Sequence, residues 1–389
     1  MSYVSLSLTV LALLIWTILT FFRGAFWQLR AIDAEADQGK LLEEWPRVAV
    51  IVPARNEAET IERCVESLAA QDYPGKFQIV VVDDHSDDGT SGLARNAAER
   101  GARLDRVTVM HGAELQQGWT GKLWALQQGY EASLAEDPEF LWFTDADVVH
   151  APDTLRLLVA RAESQRLDLA SLMVLLQAKS LPEKLLIPAF LYFFLMLYPP
   201  NWIVDRKAKT AGAAGGCILL RKAALERMGG ISAIRGEVID DCALAREVKR
   251  GGGSIWMGLT RKSVSLREYS NFGQIRDLIA RTAFTQLKYS PVVLFGTILG
   301  MLVMYLVPVA FSFQSDPLVW RLSLVTWALM TVTYLPTVRF YGLSPLWAPL
   351  LPLAALFYSY ATWLSAARYW MGRGGQWKGR AQARAKRSA

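Results

Sequence analysis

Three groups of polar residues stand where chemistry needs them, each at the end of an apolar run. VAVIV (48–52) leads into Pro53-Ala54-Arg55-Asn56-Glu57, and IVVVDD (79–84) leads into His85-Ser86-Asp87-Asp88-Gly89-Thr90. EFLWF (139–143) leads into Thr144-Asp145-Ala146-Asp147, and a further acidic pair, Asp240-Asp241, opens the helical pattern CALAREVKR. An acidic turn ordinarily solvates a loop or caps a helix, which accounts for Asp87, Asp88 and Thr90. It does not account for Asp145 and Asp147, which follow FLWF directly. Two carboxylates two residues apart on extended backbone project to one side. An anionic diphosphate placed there would be repelled unless a divalent cation bridged the charges. Mg2+ or Mn2+, held by one or two carboxylates plus phosphate oxygens, meets that need. Spacing alone leaves both a metal role and a structural one open for this pair, and both a helix cap and a general base open for Asp240-Asp241.

The elements around these residues alternate. Apolar strands at 48–52, 79–84, 106–110 and 139–147 are each followed by a helical pattern, at 57–70, 90–100, 121–134 and 152–165, and then by DLASLMVLL (168–176). Repeated strand–helix units imply an α/β fold, a mostly parallel sheet with helices on both faces, here over 45–270. Ligands of such sheets bind beyond the carboxyl ends of the strands, which is where the polar clusters lie.

The rest of the chain is apolar. Of 389 residues 52% are hydrophobic, and the excess sits at 4–22 and 290–366. Residues 4–22 carry no charge and reach the length of a bilayer crossing, with Arg23 and Arg30 after them and nothing basic before. The segment 1–30 is therefore expected to be an uncleaved membrane anchor with the following domain on the cytoplasmic side. The stretches 290–313, 318–336 and 346–366 make a C-terminal transmembrane region, so the protein is multi-pass. Three crossings would put the tail outside, whereas its cations favour the inside, and the middle stretch could be re-entrant. Residues 185–204 are interrupted by Pro188, Pro199 and Pro200 and fit an interfacial helix, with a buried core helix as the other reading. Ile275, Leu278, Ile279 and Thr282 fall at helical spacing, so 271–289 is expected to be an amphipathic helix on the membrane surface.

The net charge of +6 is concentrated at 367–389, where Arg368, Arg373, Lys378, Arg380, Arg384, Lys386 and Arg387 occur without one acid. The basic balance therefore belongs to a tail and does not indicate nucleic-acid binding. With Trp370 and Trp377 interleaved, this segment suits anionic lipid headgroups or serves as a solubilising tail. Cys64, Cys217 and Cys242 are too few and too scattered for a disulfide framework or a zinc site.

PARNE, VVDDHSDDGT, GKLWALQQG (121–129) and TDAD, in that order, resemble the successive signatures of glycosyltransferase family 2, whose fold is GT-A. AAGGCILLRKAALERMGGI (213–231) and EVIDDCALAREVKRGG (237–252) extend the resemblance over most of 48–252. The runs GWTGKLWA, LLIPAF, AAGGC, IDDCALA and SPVVLFGT are most similar to the bacterial hopanoid-biosynthesis-associated membrane glycosyltransferases. The resemblance implies inverting, metal-dependent transfer of a sugar from a nucleotide-sugar donor to a membrane lipid, with a hopanoid-related acceptor as one candidate, at the bacterial inner membrane. Residue by residue, it implies that Pro53, Ala54 and Glu57 line the nucleotide pocket and Asp83 accepts from the base. Lys122 would contact the diphosphate, Asp145 the ribose or the metal, and Asp147 the metal, Mg2+ or Mn2+. Asp241 would be the general base with Asp240 beside it. Processive members of the family carry a Gln-x-x-Arg-Trp element, for which this chain has Gln274 through Phe284; Arg281 is the cation that region offers to a phosphate or acceptor. The element is not intact, which disfavours a processive polysaccharide synthase. A sugar nucleotidyltransferase would want a glycine-rich loop after the first strand, and PARNEAET has no glycine.

Overall fold

The structure, a computed structural model, describes residues 3–29, 42–100, 106–372, 376–377 and 380–381. Arg30 and most of the basic tail lie outside the described residues. The chain divides into two compact units, one built on 32–176 and 202–267, the other on 1–31, 177–201 and 268–375.

In the first unit, Val48–Ala54 (β1), Phe77–Asp83 (β2), Val107–His111 (β3), Phe140–Thr144 (β4), Val148–His150 (β5), Leu169–Leu175 (β6), Cys217–Arg221 (β7) and Ile255–Ser265 (β8) form one sheet. Their spatial order is β3-β2-β1-β4-β7-β6-β8-β5. β3, β2, β1 and β4 run parallel, and all seven residues of β1 are buried, as a strand covered on both faces requires. Alternation along β2 shows the two faces. Ile79 and Val81 pack with Ile61, Val65 and Ala94 of the helices Ile61–Ala69 and Thr90–Arg100. Val80 and Val82 turn the other way, onto Ala125 of the helix Gly121–Ser133.

Register decides what reaches the working edge. Ala54 pairs with Asp83 and Ile51 with Phe143, so the ends of β2, β1 and β4 lie side by side. β7 runs antiparallel to β4, with Cys217 opposite Thr144. That reversal delivers the preceding Ala213-Ala214-Gly215-Gly216 to the same edge. β6 is antiparallel to β7 and parallel to β8, so the far end of β8 arrives there as well. The chain does not stay extended through 139–147. It leaves β4 at Thr144, turns at Ala146-Asp147 and starts β5 at Val148, so the expectation of two carboxylates on one face of a continuous strand is corrected.

The second unit is helical. Tyr3–Phe22, Leu181–Val204, Pro291–Phe311, Pro317–Phe340 and Pro345–Trp370 are long and apolar enough to cross a membrane by length and composition. Several buried polar groups within it are paired, while the Thr20 and Thr337 hydroxyls are buried without a hydrogen-bond partner among the described residues. Pro308 has no N–H, which would leave the carbonyl of Met304 without its helical donor. The indole of Trp16 donates to that carbonyl instead, at 2.8 Å, beside a locally widened turn at Leu302–Leu306. Tyr192, 0% exposed, hydrogen-bonds Thr333 at 2.8 Å, and the Tyr358 hydroxyl donates to the Leu186 carbonyl at 3.0 Å. The helix containing 185–197 is thus packed among its neighbours. Its membership of the helical unit also interrupts the expected continuous domain at 45–270.

Candidate active site

The centre of the site is Lys122, second residue of the helix Gly121–Ser133, which starts from Thr120 with the threonine hydroxyl accepting from the Leu123 amide. Its ammonium lies 2.9 Å from Asp145 Oδ1, just past β4, and 3.2 Å from Asp240 Oδ2, at the start of the helix Asp240–Arg250. Burial alone would lower the lysine's pKa, but the two carboxylates outweigh it and hold the group charged, well above its ordinary range. Asp241, the next residue, has both oxygens occupied by backbone donors. Oδ2 accepts from Gly215 N–H at 2.9 Å and Oδ1 from its neighbour Cys242 N–H at 2.7 Å. Burial and then the charge of Asp240 push its carboxyl up to about 6, against the opposing pull of Lys122. A carboxylate so placed is a stronger base than an exposed one.

Gly215 lies close against both Lys122 and Asp241. A Cβ there would stand 3.2 Å from Lys122 Nζ and 3.4 Å from Asp241 Oδ2. Pro53, Lys122, Asp145, Gly215, Asp240 and Asp241 together line one pocket, whose floor is apolar: Leu126, Phe143, Ile218, Ile231, Ile234 and Leu244.

A second cluster gathers around Arg267, just beyond β8. Its Nε donates to Asp147 Oδ2 at 2.9 Å, and its NH2 donates to both Glu57 oxygens at 2.9 and 3.0 Å. The Ser265 hydroxyl also donates to Asp147 Oδ2, at 3.3 Å. Asp83 is buried, with Oδ1 accepting from the Ser86 amide at 3.2 Å and from the Ser86 hydroxyl, and Oδ2 lying 3.4 Å from His111 Nδ1. Ala54 is fully buried at the end of β1. Arg281 is exposed on the helix Phe272–Gln286 of the helical unit. The structure thus brings Pro53, Lys122, Asp145, Asp240 and Asp241 together and joins Glu57 to Asp147 through an arginine that sequence reasoning missed. The signal for Arg267 was its place after a strand, IWMGLTRKSVS, that was not recognised as one.

Among the described residues no group of three or more His, Cys, Asp and Glu side chains is arranged to hold a metal ion. Around Lys122, however, stand three carboxylates and one ammonium. That excess of negative charge fits Mg2+ or Mn2+ arriving with phosphate oxygens, with Asp145 or Asp147 as the protein's share, and does not fit a preformed cage.

The sequence model described as Glycosyl transferase family 2 matches residues 49–229. Glycosyltransferase AglE of Haloferax volcanii is 34% identical over 91 residues, 23% of this chain and 29% of that protein. An N-acetylglucosaminyltransferase of Mesorhizobium japonicum is 56% identical over 45 residues, 11% of each chain. A 4,4'-diaponeurosporenoate glycosyltransferase of Staphylococcus haemolyticus is 34% identical over 101 residues, 26% of this chain and 24% of that one. The match thus spans less than a third of each of these relatives. Among solved structures, a mannosyltransferase from Pyrobaculum calidifontis in complex with GDP-Man and Mn2+ covers 91% of this chain and 99% of its own, at 19% identity and a TM-score of 0.53. That likeness shows the fold, a mixed, mostly parallel GT-A-like sheet with helices, accompanied here by long apolar helices at both ends of the chain.

Proposed function

We propose that this chain, which matches the glycosyltransferase family 2 model over residues 49–229, transfers a sugar from a nucleotide-sugar donor to a lipid acceptor with inversion at the anomeric carbon. The observation that carries this is the Lys122–Asp145–Asp240 ion-pair cluster beside Asp241, at the strand ends where such sheets take ligands. Lys122 is the cation available to a diphosphate, which would compete with the two carboxylates for it. Asp147 and Glu57, steadied by Arg267, complete the donor side. A bound Mg2+ or Mn2+, with Asp145 or Asp147 as its protein ligand, would offset the charge that grows on the leaving nucleoside diphosphate.

Asp241 takes the proton from the acceptor hydroxyl as its oxygen attacks the anomeric carbon. The bond to the diphosphate breaks, and its electron pair leaves with the nucleotide. Gly215 N–H and Cys242 N–H hold the base in place through the transfer. One displacement means inversion.

The lipid acceptor is supported by the helical unit. Leu11, Leu14, Ile18, Phe21 and Phe22 of the first helix and Val292, Phe295 and Leu299 of another are exposed large apolar side chains, a surface suited to lipid. A catalytic domain on the cytoplasmic face follows from Arg23 after an uncharged span. A hopanoid-related acceptor rests on the family resemblance. The experiment is release of nucleoside diphosphate from UDP- and GDP-sugars by the purified full chain, with and without lipid vesicles. Release that depends on added lipid supports the proposal. Nucleotide release unaffected by any lipid, or none at all with any donor, overturns it.

A further inference from the structure

Behind the Gly215–Asp241 contact lies a line of buried polar groups that no step above uses. Thr144, His150 and Ser263 are 1%, 5% and 0% exposed. Thr144 Oγ1 lies 2.8 Å from His150 Nε2, and its hydroxyl donates to the Gly216 carbonyl at 3.0 Å. His150 Nδ1 lies 2.8 Å from Ser263 Oγ. Proton counting gives this line a direction. A carbonyl only accepts, so the single hydroxyl proton of Thr144 goes to Gly216. Thr144 must then accept from His150, which puts the ring proton on Nε2. Nδ1 is left as an acceptor, and Ser263 donates to it. Burial depresses the imidazole to about 3, so the ring is neutral at any ordinary working pH and keeps this tautomer. Trp142 packs on the ring at 4.6 Å between centroids.

The segment that the line reaches is held on its other sides too. Ser171 Oγ accepts from the Ala214 amide at 2.8 Å and donates to the Ala214 carbonyl at 3.2 Å. A Cβ on Gly216 would stand 2.6 Å from Val174 Cγ2, so the backbone is pressed against β6. Gly215 N–H therefore points at Asp241 from a backbone held on both sides, by Ser171 at the Ala214 amide and carbonyl and by Thr144 at the Gly216 carbonyl.

We propose that Ser263, His150 and Thr144 act as positioning residues: their one-way hydrogen-bond line fixes the Gly215–Gly216 backbone so that Gly215 N–H holds the Asp241 carboxylate in its working orientation. The proposal rests on Asp241 being the base. It gives β5, a three-residue strand, and the end of β8 a role in the reaction although neither supplies a group to it. The charged groups facing Asp241 are Asp240 from its own helix and Lys122 from the helix Gly121–Ser133.

The test is an infrared pH titration of the purified full-chain protein, following the carboxylic-acid band that Asp241→Asn abolishes, paired with steady-state kinetics. The kinetic donor is whichever of UDP-glucose, UDP-GlcNAc and GDP-mannose gives turnover. Thr144→Val removes the hydroxyl at nearly constant shape. It should move the band's midpoint upward, because the carboxylate loses a fixed donor, and lower kcat by about 10- to 100-fold with donor KM within a few-fold. Thr144→Ser should restore both. Ser263→Ala, which frees the ring to flip and leaves the Thr144 hydroxyl in place, should act in the same direction more weakly and serves if Thr144→Val does not fold. Wild-type midpoint and kcat in Thr144→Val or Ser263→Ala would overturn the proposal, as would Thr144→Ser behaving like Thr144→Val. If instead Asp241→Asn keeps full turnover while Thr144→Val still shifts the band, Asp241 is not the base and only the positioning of its carboxylate stands.

Discussion

Asp241→Asn is the substitution that most sharply divides base from helix cap. In the structure both carboxylate oxygens accept from backbone N–H groups, Gly215 on one side and Cys242 on the other. An asparagine can keep only one of these as an acceptor and turns an NH2 toward the other. A buried donor left without its partner costs about 1–3 kcal/mol, a shift of a few degrees in melting temperature for a chain of this size. Loss of the proton acceptor is the larger effect. General base help is worth ~100-fold or more, about 2.7 kcal/mol of barrier. The assay is initial-rate release of nucleoside diphosphate with lipid present, alongside donor affinity and a thermal melt. The expected pattern is kcat down by about 100-fold or more, donor affinity within a few-fold and a small fall in melting temperature. Asp240→Asn should be milder in turnover, because an amide oxygen can still accept from Lys122, now 3.2 Å from Asp240 Oδ2. If the two variants show the opposite order, the base is Asp240. If neither changes turnover, the pair is a helix cap and the reasoning fails.

Because Asp241 must be ionised to act and its carboxyl is pushed up to about 6, kcat should fall as pH is lowered through that value and be flat above it. A rate that rises toward acid would contradict the base role. Chelator should abolish activity, and Mg2+ or Mn2+ should restore it, while Asp147→Asn should cripple turnover without unfolding the protein; full activity in excess chelator would remove the metal from the mechanism. Trp16→Phe takes away the donor to the Met304 carbonyl that Pro308 leaves orphaned, and should lower the detergent-solubilised protein's stability by about 1–2 kcal/mol, read as an earlier thermal transition. An unchanged transition would show that the contact is dispensable.

Much of this architecture was legible in the residues. Apolar runs such as VAVIV and IVVVD, flanked by helical patterns, suit parallel strands covered on both faces, and the structure places them there beside one another. The polar clusters after them fall at one edge because parallel strands end together. What could not be read was direction. CILLR is as apolar as its neighbours, and nothing in its periodicity says that β7 runs against β4. That reversal brings Gly215 to Asp241, and it was the glycine-rich sequence, not its orientation, that pointed there. VVH is too short to register as a strand, so His150 passed unnoticed, and the turn at Ala146-Asp147 separated two carboxylates whose spacing suggested a pair. Asp145 faces Lys122 and Asp147 faces Arg267, so a tight Asp-x-Asp spacing proved compatible with two different electrostatic neighbourhoods.

The central claim is that a nucleotide-sugar donor is consumed to glycosylate a membrane lipid with Asp241 as the base. It is tested most directly by incubating the purified full chain with a panel of nucleotide sugars and lipid vesicles, then measuring the lipids by mass spectrometry and the anomeric configuration of the product. The account expects one donor to yield a single-sugar lipid adduct, formed with inversion, in step with nucleoside diphosphate release, and expects Asp241→Asn to lose it. A retained configuration, a polymeric product or a lipid pool left unmodified while nucleotide is released would contradict it.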